Sequence, residues 1–155
     1  MDVQTSRFGQ IETIEVPDEA ILEFPHGLPG FESQKSFALI EDAAYLPLLW
    51  LQALGDPSVQ FVAIDPALIL PDYRVDVTDL DVECLELNED GAAELFCILV
   101  TQGDPRATTM NLKAPLVINR QARRGKQVIL TDERYPLRYR AFSAGRPEAS
   151  AAKSC

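Results

Sequence analysis

The sequence predicts a mainly β protein, a small antiparallel β-barrel-like domain with one short helix. Three observations carry this expectation. Short apolar or alternating runs recur along the chain, separated by Gly, Pro, Asn and Asp. The eleven prolines mostly flank these runs rather than interrupt them, as strand ends and edges require. One stretch, beginning at Thr78, has a helix-type start followed by apolar residues at helical spacing.

Residues 3–8 and 11–16 open the series of strands. The second is nearly a strict alternation, Gln10-Ile11-Glu12-Thr13-Ile14-Glu15-Val16, which turns one face to a core and the other to water. Residues 21–24, 36–40, 48–53 and 59–64 follow. Between the first two of these, Pro29-Gly30 suits the centre of a type II turn, because proline presets φ and glycine tolerates φ > 0. Residues 73–77 read as a further strand. Thr78 then caps a helix, with Asp81 in the capping-box position and Asp79 favoured by the helix dipole. Leu80, Cys84 and Leu87 supply its apolar face, and residues 88–91 end it. Strands are expected again over 95–101, 108–112, 116–119 and 127–130, with 96–100 apolar on both faces as in a central strand. Residues 143–155 are rich in Ala and Ser and have no apolar periodicity, so a disordered tail is expected after a single domain of residues 1–142.

The 155 residues are 46% hydrophobic and 25% charged, ordinary values for one domain. A chain of this length buries about 68–70% of its unfolded surface and needs no metal or disulfide to fold. No stretch approaches the roughly 18 apolar residues of a membrane span. Asp2, Arg7 and Glu12 leave no room for the apolar region of a signal peptide. Three cysteines, Cys84, Cys97 and Cys155, include no CxxC pair, so neither a zinc site nor a disulfide framework is expected. These features together predict a cytoplasmic protein without a membrane partner.

The net charge of −10 hides a division: residues 1–105 hold 21 acidic and 3 basic residues, whereas residues 106–155 hold 3 acidic and 11 basic. The acidic excess argues against direct nucleic-acid binding, which needs Lys and Arg to neutralise phosphates, and favours a basic protein partner. The basic segment Arg120-Gln121-Ala122-Arg123-Arg124-Gly125-Lys126 lies between strand-like runs and lacks aromatics for base stacking, so it reads as a hairpin tip. Catalytic motifs are missing. His26 stands alone in a Pro/Gly turn, and no GxSxG, GxGxxG or GxxxxGK[ST] occurs. Asp79-Leu80-Asp81-Val82-Glu83 has cysteine where a calcium loop needs glycine. The expectation is a non-enzyme without cofactor.

Four blocks give the chain a resemblance to the FliW family of flagellar assembly factors. They are Thr5-Ser6-Arg7-Phe8-Gly9-Gln10-Ile11-Glu12 and Phe24-Pro25-His26-Gly27-Leu28-Pro29-Gly30-Phe31-Glu32. A third runs from Leu49-Trp50-Leu51-Gln52 through Phe61-Val62-Ala63-Ile64-Asp65-Pro66 to Pro71-Asp72-Tyr73. The last begins with Asn111-Leu112-Lys113-Ala114-Pro115-Leu116-Val117-Ile118-Asn119 and continues through Gly125-Lys126-Gln127-Val128-Ile129-Leu130 to Tyr135-Pro136. The blocks follow family order over nearly the whole body of the chain. The resemblance implies a non-catalytic β-barrel-like protein with two partners. One is flagellin, held in the cytoplasm before export. The other is CsrA, the RNA-binding translational regulator, which the family member antagonises when free of flagellin.

Within the blocks, Gly27, Pro29, Gly30 and Gly125 read as backbone-geometry positions, and Trp50, Leu51 and Phe61 as packing residues. The partner-contact candidates are Phe31, Asp65, Asp72, Asp76, Asn111, Lys113, Asn119 and Gln127. Phe31 follows a turn, where an apolar ring is often exposed. Asp65 and Asp72 flank the apolar residues 66–71, and Asp72 and Asp76 open the acidic segment 72–94. Asn111, Lys113, Asn119 and Gln127 are polar residues in strand-rich sequence. Two other readings make different predictions. A small-ligand-binding barrel would show a deep pocket with convergent polar groups, and an acidic nucleic-acid mimic would compete directly with RNA.

Overall fold

The computed structural model describes residues 1–7, 9–88 and 93–142, so the tail expected over 143–155 lies outside the described residues. In chain order its elements are β1 (Asp2–Arg7), β2 (Gln10–Glu15), β3 (Ile21–Glu23), β4 (Ser36–Glu41), β5 (Leu49–Ala53) and β6 (Gln60–Ile64). Next come the helix α1 (Asp79–Cys84), β7 (Glu94–Val100), β8 (Thr109–Met110), β9 (Leu116–Asn119), β10 (Arg124–Gln127) and β11 (Tyr139–Arg140).

Seven of these strands close into a barrel. β4 to β7 form an antiparallel meander, β3 pairs β4, β10 joins β3 to β9, and β9 returns to β7. Every contact is antiparallel except β3–β10, which is parallel and holds the single register pair Arg124↔Glu23. Beside it, the Glu23 N–H donates to the Arg123 carbonyl at 2.8 Å. Strand β7 serves two partners on one edge: Glu94–Phe96 pair with β9, and Leu99–Val100 pair with β8, which carries β11. The hairpin β1–β2 stands apart as its own two-stranded sheet.

Period-two patterning explains the layers. Phe37 and Leu39 of β4, Leu51 of β5, Phe96 of β7 and Leu116 and Ile118 of β9 fill the barrel together with Phe24. A barrel filled in this way is a packed core rather than a ligand chamber. Side chains of opposite parity build two outer cores. Val3 and Val16 cover Ala38 and Ile40 on one flank. On the other, Tyr73, Leu85 and Tyr135 cover Cys97, Met110 and Val117. Strand β7 is therefore apolar on both faces, as its sequence predicts, with Cys97 fully buried and its thiol pushed up to about 12 by desolvation.

Local chemistry fixes the turns. The Phe31 N–H donates to the Leu28 carbonyl at 2.7 Å, and Gly30 takes φ of 86°, completing the predicted type II turn. Gly125 is there for another reason. Its φ is ordinary, but a Cβ would collide with the Phe24 ring, 2.7 Å from Cε1.

The structure corrects several sequence expectations. Residues 73–77 are not a strand. The Tyr73 hydroxyl instead donates to the Leu112 carbonyl at 2.6 Å, and its ring packs edge-on to Tyr135, so the segment holds the barrel flank through side chains. The strand expected over 127–130 lies at Arg124–Gln127, and the one over 108–112 shrinks to Thr109–Met110. Downstream of β10, the N–H groups of Val128 and Leu130 still bond the carbonyls of Pro115 and Lys113. Strand β11 was not expected. The helix has its capping box: Thr78 Oγ1 accepts from the Asp81 N–H and Asp81 Oδ2 from the Thr78 N–H, both at 3.1 Å. Its buried face differs, however. Leu80 is 74% exposed while Asp81 and Leu85 are buried, because α1 stops at Cys84 and Glu86 turns the chain with φ of 54°.

Candidate partner-binding surfaces

Three of the four cations of the basic hairpin, Arg120, Arg124 and Lys126, are paired with carboxylates, mostly of the acidic segment. Arg120 binds Glu41 at 2.8 Å and Glu94 at 2.5 Å, and Arg124 binds Glu86 at 2.8 Å. Burial works against the Arg120 charge, but the two carboxylates outweigh it and hold the guanidinium above its ordinary value. Lys126 of β10 binds Asp81 at 2.6 Å, with only 6% of the Asp81 side chain exposed. Desolvation raises the Asp81 carboxyl, yet Lys126 and the Thr78 cap dominate and hold it below the usual carboxylate range.

This pairing redraws the acidic segment. Asp81, Glu86 and Glu94 are neutralised in place, and Glu89 and Asp90 lie outside the described residues. Asp72, Asp76, Asp79 and Glu83 are exposed and make no ion pair among the described residues. Exposed Val77 and Leu80 are interspersed with them. The segment thus combines four carboxylates outside any ion pair, against the single exposed cation Arg74, with two apolar side chains, a composition suited to a basic protein surface.

A second surface lies where β6 and β7 part. These strands pair only through Val62–Ile64 and Cys97–Leu99, and beyond that register a cleft of about 680 Å³ opens beside Phe61, Ile98 and Val100. Ile129 and Leu137 line it, 63% and 53% exposed. Asn111, Lys113 and Gln127 line it as well, and two of these are fixed by backbone: Asn111 Oδ1 accepts from the Ala114 N–H at 3.0 Å, and Gln127 Nε2 donates to the Ala114 carbonyl at 2.9 Å.

Three of the eight candidates therefore converge on one cleft. Phe31 sits close by, 39% exposed, its ring edge-on to Phe61 at 5.2 Å. Asp72 and Asp76 belong to the acidic face. Asp65 is exposed but acts locally, accepting from the Ala67 N–H at 2.9 Å to cap a short 3-10 turn. Asn119 is a correction. It is 5% exposed, and its Nδ2 donates to the carbonyls of Leu85 at 2.8 Å and Glu86 at 3.2 Å, so it ties the end of the helix to β9 instead of standing on the surface. Ile129 and Leu137 were missed. In Gln127-Val128-Ile129-Leu130 the signal was present as parity: Val128 and Leu130 are buried, and the apolar residue between them faces out.

Three comparisons agree on what this fold and sequence resemble. A family model described as FliW protein matches residues 2–141. The flagellar assembly factor FliW of Caldicellulosiruptor saccharolyticus is 41% identical over 140 residues, covering 90% of each chain. That of Thermotoga petrophila is 39% identical over 138 residues, covering 88% of this chain and 91% of its own. A crystal structure of the flagellar assembly factor FliW superposes with a TM-score of 0.80 at 35% identity, covering 94% of this chain and 99% of that one.

Proposed function

The chain belongs to the FliW family of flagellar assembly factors, and from that membership we propose that it is a cytoplasmic, non-enzymatic protein that binds flagellin and, once released, binds and antagonises the translational regulator CsrA. The observation that carries this reading is the exposed acidic face of Asp72, Asp76, Asp79 and Glu83. Among the described residues of the same segment the fold pairs Asp81, Glu86 and Glu94 with cations, whereas these four stay exposed without an ion pair.

An RNA-binding regulator must be basic where RNA lies, so such a face attracts it and speeds encounter. Held within about 8 Å of the RNA path, a Debye length at physiological salt, the same carboxylates weaken RNA binding without occupying the groove. Flagellin excludes the regulator when their footprints overlap, since a standard interface covers about 800 Å² per partner on a small domain. Synthesis of flagellin then follows its export.

The test is to mix purified flagellin, CsrA and this protein and resolve the complexes by size-exclusion chromatography. Two binary complexes and displacement of one partner by the other are expected. A stable ternary complex on one molecule of this protein refutes the switch, and failure to bind either partner refutes the reading altogether.

A further inference from the structure

Building on that reading, we propose that the cleft between β6 and β7 receives a short aliphatic segment of a partner polypeptide that is flanked by carboxylates. Two properties of the cleft specify this ligand. The first is its apolar lining: Phe61, Ile98 and Val100 line it together with exposed Ile129 and Leu137. Covering such side chains is worth about 25 cal/mol per Å² of apolar surface removed from water.

The second is charge. Of the nine cations in residues 106–142, five lie within 4 Å of a carboxylate: Arg106, Arg120, Arg124, Lys126 and Arg134. The other four, Lys113, Arg123, Arg138 and Arg140, make no ion pair among the described residues, and two of them, Lys113 and Arg138, stand at this groove. Lys113 lines the main cleft, and Arg138 lines its continuation, which shares Ile98, Val100, Asn111 and Leu137. On a chain of net charge −10, two unmatched cations beside an apolar trough are complementary to an acidic segment and repel a basic one. Asn111 and Gln127, fixed by their backbone bonds to Ala114, keep their part of the lining in one geometry. The acidic face around α1 and this cleft therefore select partner segments of opposite sign.

Fluorescence anisotropy with a labelled leucine–glutamate peptide, and with its leucine–lysine counterpart, tests the assignment. The glutamate peptide should bind in preference. A Lys113→Glu/Arg138→Glu variant should lose about tenfold or more in affinity for it and gain affinity for the lysine peptide. Ile129→Ser should weaken both. All of these side chains are exposed, and an unchanged melting curve confirms the fold. Equal affinity for the two peptides, indifference to charge reversal, or no binding in the millimolar range overturns the proposal. So does self-association abolished by the same variant, which would assign the cleft to a second copy of the chain. Flagellin and CsrA run against the same variant keep the two readings apart. If both bind the wild type while the glutamate peptide does not, the cleft assignment fails alone; if neither binds, the proposed function fails whatever the peptide does.

Discussion

Severing Lys126 from Asp81 should destabilise the fold far more than a surface ion pair would. The pair joins β10 to the first turn of α1 across 45 positions, and the Asp81 side chain is 6% and the Lys126 side chain 24% exposed. Removing one partner of a fully buried pair costs about 3–5 kcal/mol, and a charged hydrogen bond contributes about 1.5–3 kcal/mol. Asp81 keeps its bond from the Thr78 N–H when Lys126 is lost, so Lys126→Met should cost about 2–3 kcal/mol at neutral pH. Asp81→Asn should cost about 1–2 kcal/mol, because the amide still accepts at the cap. The double variant should fall short of the sum by about 1–2 kcal/mol. Urea denaturation of the four proteins measures this coupling. Its pH dependence has a definite sign. The folded state holds the Asp81 carboxyl below its ordinary value, so its contribution is complete above the unfolded value of about 3.9 and is lost as pH falls through the depressed folded value. Coupling should be flat from about pH 5 to 8 and vanish on strong acidification. A coupling under about 0.3 kcal/mol at pH 7, or one that grows in acid, refutes the reasoning.

Gly125→Ala should destabilise by about 1–3 kcal/mol, since Phe24 must leave its position in the barrel, and a Phe24→Leu change should relieve part of the loss in denaturation experiments. Asn119→Ala strands the Leu85 and Glu86 carbonyls and should cost about 1–3 kcal/mol, with amide exchange accelerated around α1; a neutral result would show that water replaces the bond. Reversing Asp72, Asp76 and Asp79 to lysine should slow association with CsrA more than it speeds dissociation, and the residual on-rate should lose its salt dependence. Stopped-flow titrations in low and high salt read this directly, and an unchanged on-rate would remove the acidic face from capture.

What the sequence made legible was whatever depends on neighbours along the chain. The strands over 36–40 and 59–64, the Pro29-Gly30 turn and the Thr78 capping box are local, and each is close to where the residues predict it. The alternation of residues 10–16 placed a strand but not its burial, since Ile11 is 66% exposed. Tyr73 misled because packing a flank through side chains and pairing as a strand leave the same apolar alternation. Leu80 misled because helical periodicity does not say which face is covered: the buried first-turn side chain is Asp81, whose partner Lys126 lies far along the chain. Asn119 has the composition of a surface residue, and only the fold brings the helix-end carbonyls to it. The division of charge was countable from the start. That its halves meet as Arg120–Glu94, Arg124–Glu86 and Lys126–Asp81 was not, because only the closed barrel brings β7 and the α1 segment against the β9–β10 hairpin.

The parallel contact between β3 and β10 also sets the order in which a growing chain can mature. Its residues, Glu23 and Arg124, are separated by most of the described sequence, whereas the neighbouring β3–β4 and β9–β10 pairs are joined by connections of 12 and 4 residues. During synthesis the meander from β3 to β6 can pair as it leaves the ribosome, but its first strand waits with one edge open until residue 124 has emerged. A nascent chain therefore cannot complete its cylinder before residue 124 is available. The late-arriving β9–β10 hairpin also carries Arg120, Arg124 and Lys126, so the same event that shuts the barrel quenches the surplus charge around α1. Until then a ribosome-bound intermediate displays all of those carboxylates, and only the finished molecule shows the smaller acidic face.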